Sequence, residues 1–162
     1  MMEIILHPSV AARWWLHHLD NATDSTALLE SIGHGRFRLF EPETFESDVL
    51  AVVVDDLATF PNPIASDLIT GILADVQQLM EELPAEHRLQ SIRHRILVPP
   101  AFVMAIKSRV LLLDAIYFST ALMLGCHLVI VNDAQVIAAA RVAEEYPRLL
   151  VTRLSDVHKL DA

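Results

Sequence analysis

Short apolar runs alternate along the chain with longer stretches in which apolar residues recur every three or four positions. The first pattern is typical of buried strands and the second of helices. Pro8 closes the first apolar run, because proline cannot donate to a strand ladder. The clearest helical pattern runs from Asp67 to Leu83 and is followed by Pro84. Strands are predicted at 3–7, 37–40, 96–98, 128–131 and 149–152, and helices at 10–19, 25–32, 43–60, 67–83, 101–108, 112–124 and 134–145.

Capping residues predict where several of these helices begin and end. Ser9 is expected to be the N-cap of the helix at 10–19, and Gly33 and Gly125 are expected to close two later helices. The stretch at 43–60 is ambiguous, because residues 49–54 are rich in β-branched side chains. A helix is favoured there, since no turn residue interrupts the pattern.

The order of the predicted elements indicates the fold class. Each strand is separated from the next by a connection too long for a hairpin, which predicts βαβ units with right-handed crossovers. We therefore expect one α/β domain over residues 1–162, a three-layer α/β/α arrangement with a central, mainly parallel sheet. In such sheets function collects beyond the carboxyl ends of the strands.

Composition agrees with a sheet that is covered on both faces. Apolar residues make up 53% of the chain, yet no uninterrupted apolar run approaches the ~20 residues that would cross a bilayer. The amino-terminal sequence lacks the basic and long apolar regions of a secretion signal. We predict a cytoplasmic protein with no membrane partner. The lone Cys126 cannot form an internal disulfide and is expected to be a buried apolar residue.

Charge is distributed unevenly. The formal net charge is −9, which argues against holding nucleic acid by bulk attraction. Residues 87–113 nevertheless contain five bases and no acid, while the rest of the chain holds seven bases against 21 acids. Two interpretations stay open: a basic patch that contacts a polyanion, or bases that pair with acids elsewhere in the fold.

Two aspartates lie where an α/β protein places its chemistry. Asp133 directly follows the strand predicted at 128–131, and Asp114 lies in the first turn of the helix leading into that strand. Each on its own is explained by helix capping or by the helix dipole. Together they are expected to lie close in space.

The carboxyl-terminal half resembles PIN domains. Four features keep the spacing of that family: the acid-Ala-apolar-aromatic opening at Asp114, the small residue Ala121, Gly125 at the helix end and Asp133 after the next strand. The amino-terminal strand followed by His7-Pro8-Ser9 and a helix is similar to the family's opening. Pro42 followed by Asp48 is similar to its second helix start. The segment 56–95 resembles the family only in its helical pattern and carries none of the family's motif residues.

The resemblance implies a metal-dependent endoribonuclease that cleaves single-stranded RNA, similar to the toxins of bacterial toxin–antitoxin pairs. It implies that Asp48, Asp114 and Asp133 hold Mg²⁺ or Mn²⁺, since hard cations prefer oxygen ligands and converging carboxylates need a cation. It also implies an antitoxin protein and a homodimer as partners. Four bases would hold the RNA backbone: Arg93, Arg95, Lys107 and Arg109.

The sequence departs from the family at His7, which stands where an aspartate is usual. Val131 is a second departure, at a position where threonine is common. His7 has three interpretations: a ligand for a softer metal, a base or RNA contact, or a sign of a decayed site. Ser9 either contacts a metal-bound water or an acid, or only caps the helix. The alternative function is therefore a catalytically degenerate PIN-fold protein that binds RNA or protein.

Overall fold

The computed structural model describes residues 1–59, 70–72, 74–75, 78 and 90–161. Five strands form one parallel sheet in the order β3-β2-β1-β4-β5, and the predicted α/β class with its three-layer arrangement is confirmed. The strands are β1 (Met2–Leu6), β2 (Phe37–Pro42), β3 (Gln90–Ile92), β4 (His127–Ile130) and β5 (Leu150–Arg153).

Helices cover both faces of the sheet. The first three contact one another or β2, and the last three contact one another. The right-handed crossover rule for parallel strands places the two groups on opposite faces. The helices are α1 (Pro8–Ala11), α2 (Ala22–Gly33), α3 (Phe45–Leu57), α4 (His94–Ser108), α5 (Leu112–Leu124) and α6 (Asp133–Glu145), with 3₁₀ helices at Ala12–Trp14 and Leu154–Asp161.

The core is centred on the two middle strands. Ile4, Ile5 and Leu6 of β1 are fully buried and pair in register with His127, Leu128 and Val129 of β4. Seven consecutive residues of α5, from 115 to 121, are also buried, and this helix packs on β1, β2 and β4. Each large aliphatic side chain buried here contributes about 1.5–3 kcal/mol to stability.

The strand order reverses at the β1–β4 pair. From β1 the chain moves outward to β2 and β3, then returns to β4 on the other side of β1 and continues to β5. In open parallel sheets such a reversal opens a crevice beyond the carboxyl ends of the two middle strands. Here those ends lead into His7 and Asn132.

The first helix differs from the prediction. It begins at Pro8 rather than at Val10, and the chain leaves helical geometry after Trp14 rather than continuing to Leu19. The N-cap is His7, whose ring accepts from the Ser9 backbone N–H, so the prediction of Ser9 as the cap is wrong. Proline is favoured at the first helical position because its missing N–H would have no partner there.

The predicted strand at 96–98 is also wrong. Those residues lie inside α4, and the third strand is Gln90–Ile92. A short apolar run fits a buried helix as well as a strand, and the two prolines that suggested a strand end, Pro99 and Pro100, are accommodated within α4.

Most other elements lie within a few residues of their predicted bounds. The ambiguous stretch at 43–60 contains α3, and Gly125 closes α5 in the left-handed conformation, as predicted. Gly33 is the last residue of α2 rather than its cap, and Gly35 takes the positive φ. The predicted helix at 67–83 falls mostly outside the described residues, and those described between 70 and 78 are helical.

No single helix within the described residues has both the length and the apolar character needed to cross a bilayer. In that part of the chain, the pair α4 and α5 taken together meets the criterion, and the chain bends by 115° between the two helices.

Candidate functional site at the carboxyl edge of the sheet

His7 lies at the centre of the crevice between β1 and β4. Its backbone is extended, and its N–H donates to the carbonyl of Val129, which continues the strand pairing by one residue. The residue is only 3% exposed. A buried imidazole needs partners for both ring nitrogens, because an unsatisfied buried polar atom costs about 1–3 kcal/mol.

The ring of His7 has a carboxylate partner on one side. Its Nε2 lies 3.0 Å from Oδ1 of Asp114, in the first turn of α5. On the other side, Nδ1 faces the backbone N–H of Ser9 at 3.3 Å. Because that N–H can only donate, Nδ1 is the acceptor, and we assign the ring proton to Nε2, which donates to Asp114.

Gln135 completes this network. Its Nε2 lies 2.6 Å from Nδ1 of His7 and 2.7 Å from Oγ of Ser9, and the Ser9 hydroxyl lies 2.8 Å from the same ring nitrogen. Its Oε1 accepts from the backbone N–H groups of Val131 and Asn132. Gln135 therefore ties the end of β4 to the end of β1 through a buried amide.

Sequence reasoning missed Gln135, although a signal for it exists. Asn132 caps α6 by accepting from the Gln135 backbone N–H, and the Gln135 side chain reaches back to the Asn132 backbone. This reciprocal capping box has a readable spacing of three residues, with an acceptor side chain first and Gln or Glu last. The spacing predicts the helix start, but it does not predict the contact with His7.

Asp48 is joined to the site through Tyr117. Its Oδ2 accepts from the Tyr117 hydroxyl and from Oγ1 of Thr44, each at 2.8 Å. The Tyr117 ring centroid lies 5.4 Å from that of His7. Burial raises the pKa of Tyr117, and the negative charges of Glu41 and Asp48 add to the rise. Tyr117 is thus a neutral donor that connects Asp48 with the histidine ring.

Glu41 is a buried acid that the sequence analysis did not single out. It lies near the end of β2, where it is completely buried, and its Oε1 accepts from the Leu6 backbone N–H at 2.7 Å. Its Oε2 has no hydrogen-bond partner among the described residues. Burial raises the pKa of Glu41 well above its ordinary value, the Leu6 N–H opposes that rise, and Asp48 adds to it. The signal for Glu41 was an acid just after an apolar run, obscured because that strand was predicted to end at Phe40.

Asp133 does not join this cluster. It is the first residue of α6, its side chain is 87% exposed, and its Oδ1 accepts from Arg153 at 2.9 Å. The inward side of the helix start is taken by Gln135 instead. The structure therefore brings His7, Ser9 and Asp114 together and links Asp48 to them through Tyr117, whereas Asp133 pairs with β5.

The side chains as placed do not fit the divalent ion that the family resemblance implies. Asp114 already accepts a hydrogen bond from His7, and one oxygen of Asp48 accepts from the hydroxyls of Thr44 and Tyr117. Asp133 is paired with Arg153. Within the described residues, no group of three or more His, Cys, Asp or Glu side chains is arranged to hold a metal ion. A hydrogen-bonded network fills the position where the resemblance predicts a cation, and Mg²⁺ or Mn²⁺ stays a prediction.

The four predicted RNA-binding bases are all exposed, two at each end of α4. Arg93 follows β3 directly and is the N-cap of α4, so Arg93 and Arg95 lie at the carboxyl ends of the strands. Arg109 ends α4 in the left-handed conformation, and α5 begins three residues later. Because α5 runs back toward the start of β4, its first turn also lies at the carboxyl edge. Lys107 and Arg109 lie at the end of α4 that precedes this turn, and the Arg109 carbonyl accepts from Nη1 of Arg141 on α6 at 3.3 Å.

No protein-family model matches the sequence, and a search of curated proteins finds none that is significantly similar.

Proposed function

We propose that this chain is a PIN-like protein that binds single-stranded RNA at the carboxyl edge of its sheet, in the cytoplasm, without cutting it. The observation that carries the proposal is the state of His7, where the family has its first acid. Both ring nitrogens are engaged inside the protein, with Asp114 on one side and with Ser9 and Gln135 on the other. A ring that is 3% exposed and fully engaged leaves no free nitrogen to serve as a metal ligand or as a base.

The topology supports the PIN-like part of this proposal. A parallel sheet in the order β3-β2-β1-β4-β5 places its crevice where β1 and β4 end, and His7 and Asp114 meet there. This arrangement is shared by many doubly wound folds that hold ligands at the same place. The resemblance in the residues around Asp114 makes the PIN family the preferred one.

RNA binding rests on the exposed bases at the two ends of α4. Arg93 and Arg95 lie at the start of α4, just after β3, and Lys107 and Arg109 lie at its end, just before α5. All four are exposed, and none forms an ion pair among the described residues for which partners are given. On a chain with a net charge of −9, this local excess of base would hold phosphates in one place while the acidic body repels them elsewhere.

The binding part of the proposal is tested by fluorescence anisotropy with a short labelled single-stranded RNA over a range of salt concentrations. Arg93→Ala with Arg95→Ala should weaken binding and reduce the slope of log affinity against log salt by about 1.4, because each phosphate contact on a single strand contributes about 0.7. The matched control is Arg36→Ala with Arg148→Ala, two bases at the opposite edge of the sheet. Equal losses in both double variants would contradict a site at the carboxyl edge.

The second candidate is the metal-dependent endoribonuclease of the family, with an antitoxin protein as its partner. What favours it is the acidity of the edge: Asp114 touches His7, Asp48 lies one tyrosine away, and the free oxygen of Glu41 is close enough to Asp48 for their charges to interact. A bound Mg²⁺ or Mn²⁺ would supply an activated water and a counter-charge for phosphate. Such a site needs the His7 network to open.

Calorimetric titration with Mn²⁺, followed by cleavage of end-labelled RNA, separates the two candidates. The binding protein should take up no Mn²⁺ at millimolar concentration and leave the RNA intact, while His7→Asp should gain Mn²⁺ binding through the restored acid. RNA cleavage by the unaltered protein that needs Mn²⁺ and disappears in Asp114→Asn would establish the nuclease and overturn the proposal of binding alone.

A further inference from the structure

We propose that the exposed side of α4 is a docking site for an acidic amphipathic helix of another protein. The surface, called here the α4 apolar face, consists of Ile96, Phe102, Val103, Ile106 and Leu111. It lies outside the His7 network, and its occupancy does not require that the chain bind RNA.

The face is unusual because helix α4 is apolar on both sides. Its inward side, formed by Leu97, Ala101 and Met104, is buried against the core. Its outward side should then be polar, as on an ordinary surface helix. Instead, the five residues of the α4 apolar face are between 47% and 72% exposed.

These residues form a row rather than isolated exposures. Phe102 and Ile106 are four residues apart, and Val103 lies three before Ile106, which places all three on one side of the helix. Ile96 lies seven residues before Val103 and therefore on the same side of α4, and Leu111 follows the end of the helix as the N-cap of α5. Single exposed apolar residues are common, but a contiguous group with polar surroundings is typical of an interaction surface.

Charge identifies the kind of partner. The row is bordered by Arg93 and Arg95 at one end and by Lys107 and Arg109 at the other, in a stretch that contains no acid from 87 to 113. A partner that brings apolar side chains to the row and carboxylates to its borders matches both features. A helix with apolar residues at i, i+3, i+4 and i+7 and with flanking Glu or Asp has this composition.

The same charges disfavour a second copy of this chain on the face. In a two-fold symmetric contact the α4 apolar face would meet itself, and the four bases of one copy would face the four of the other. Like charges brought together at an interface reduce affinity. An anionic membrane would satisfy the bases, but the row is as narrow as one helix side, because Leu97, Ala101 and Met104 on the other side are buried and unable to insert.

The test uses a synthetic helical peptide of about four turns with leucines at i, i+3, i+4 and i+7 and glutamates on both flanks. Calorimetry should detect binding to the full chain, and affinity should fall as salt rises. Phe102→Ser with Ile106→Ser should weaken binding about thirtyfold, as expected for removal of central apolar anchors. The control double variant Met123→Ser with Ile137→Ser, two exposed apolar residues on α5 and α6, should bind as the unaltered chain does.

Three outcomes would overturn the inference. A peptide with lysine in place of every glutamate could bind equally well, vesicles of anionic lipid could bind and be released by Phe102→Ser with Ile106→Ser while the peptide does not, or sedimentation could show a dimer that the same variant dissociates. Circular dichroism of both double variants checks that they fold. Because peptide binding is measured without RNA, its failure and the failure of RNA binding are distinguishable.

Discussion

Asp114 and Asp133 occupy equivalent positions in the fold, but one side chain is largely buried and the other is exposed to solvent. Both lie in the first turn of a helix at the carboxyl edge of the sheet. The side chain of Asp114 is 14% exposed and accepts from a buried histidine, whereas that of Asp133 is 87% exposed and pairs with an exposed arginine. A place at the active edge of an α/β sheet therefore does not decide whether a side chain enters the site.

The difference arises from what fills the crevice. At the start of α6 the inward position belongs to Gln135, whose amide satisfies His7, Ser9 and two backbone N–H groups at once. At the start of α5 the inward group is Asp114 itself. A neutral amide next to a histidine needs no counter-ion, while a further carboxylate in the same crevice would need one.

The largest expected effect comes from removing the side-chain amide of Gln135, which takes the inward position at the start of α6. Gln135→Leu keeps the volume but removes the acceptor of the Val131 and Asn132 backbone N–H groups and the amide donor to Ser9, so the free energy of unfolding should fall by about 2–4 kcal/mol. Urea denaturation measures it. The control Glu144→Leu, at an exposed position on the same helix, should change stability little; equal losses would mean that helix packing, not the network, is responsible.

Asp114→Ala removes the carboxylate from the buried side of the comparison. The Nε2–H of His7 then lacks its acceptor, and stability should fall by about 1–3 kcal/mol in urea denaturation. An unchanged midpoint would show that Nε2 finds another partner or water in the folded chain.

Glu41→Gln tests whether the buried end of the site carries a proton. The pKa of Glu41 is raised in the folded chain, so above the ordinary Glu value of about 4.3 the unfolded chain releases a proton that the folded chain keeps. The free energy of unfolding should therefore fall by about 1.4 kcal/mol per pH unit as pH rises from 5, until the folded pKa is passed. Glutamine does not titrate, keeps an acceptor for the Leu6 N–H, and should remove that slope. Unfolding curves of both proteins at several pH values measure it, and parallel pH dependence would contradict the buried proton.

The smallest effect is expected on the exposed side. Asp133→Ala removes an ion pair with Arg153 that lies in solvent, and such pairs contribute little, so stability should change by less than about 0.5 kcal/mol. Urea denaturation of Asp133→Ala and Asp114→Ala under the same conditions compares the change in unfolding free energy at the exposed aspartate with that at the buried one. A loss as large as that of Asp114→Ala would mean that both aspartates belong to one coupled site.

The sequence predicted the fold well where periodicity and length agreed. Residues 112–124 and 134–145 carry long helical patterns with clear ends, and α5 and α6 occupy almost the same ranges. It failed where a short apolar run had no length to decide between helix and strand, as at 96–98 inside α4. Three-residue β3 carries too few side chains to show any period.

The sequence indicated some of the side chains that meet at the crevice and missed others. His7, Ser9 and Asp114 meet at the crevice because strand order and the right-handed rule fix where β1 and α5 approach. Asp133 and Gln135 are two residues apart on α6 and therefore face directions about 200° apart, and which of them faces the crevice depends on the phase at which the helix starts. Glu41 was missed because its burial depends on how far β2 extends beyond Phe40.

The pairing of β1 with β4 has a consequence for how the chain is made. Ile4 pairs with His127, about 120 residues later, so a growing chain is able to close the middle of its sheet only after residues 127–130 have been made. Until β4 leaves the ribosome, the apolar first strand has β2 on one side and an open edge on the other, and such edges pair readily with other chains. Synthesis interrupted before residue 127 would release an aggregation-prone fragment in which one edge of β1 is unpaired. The yield of full-length protein would depend on what shields that edge until β4 is made.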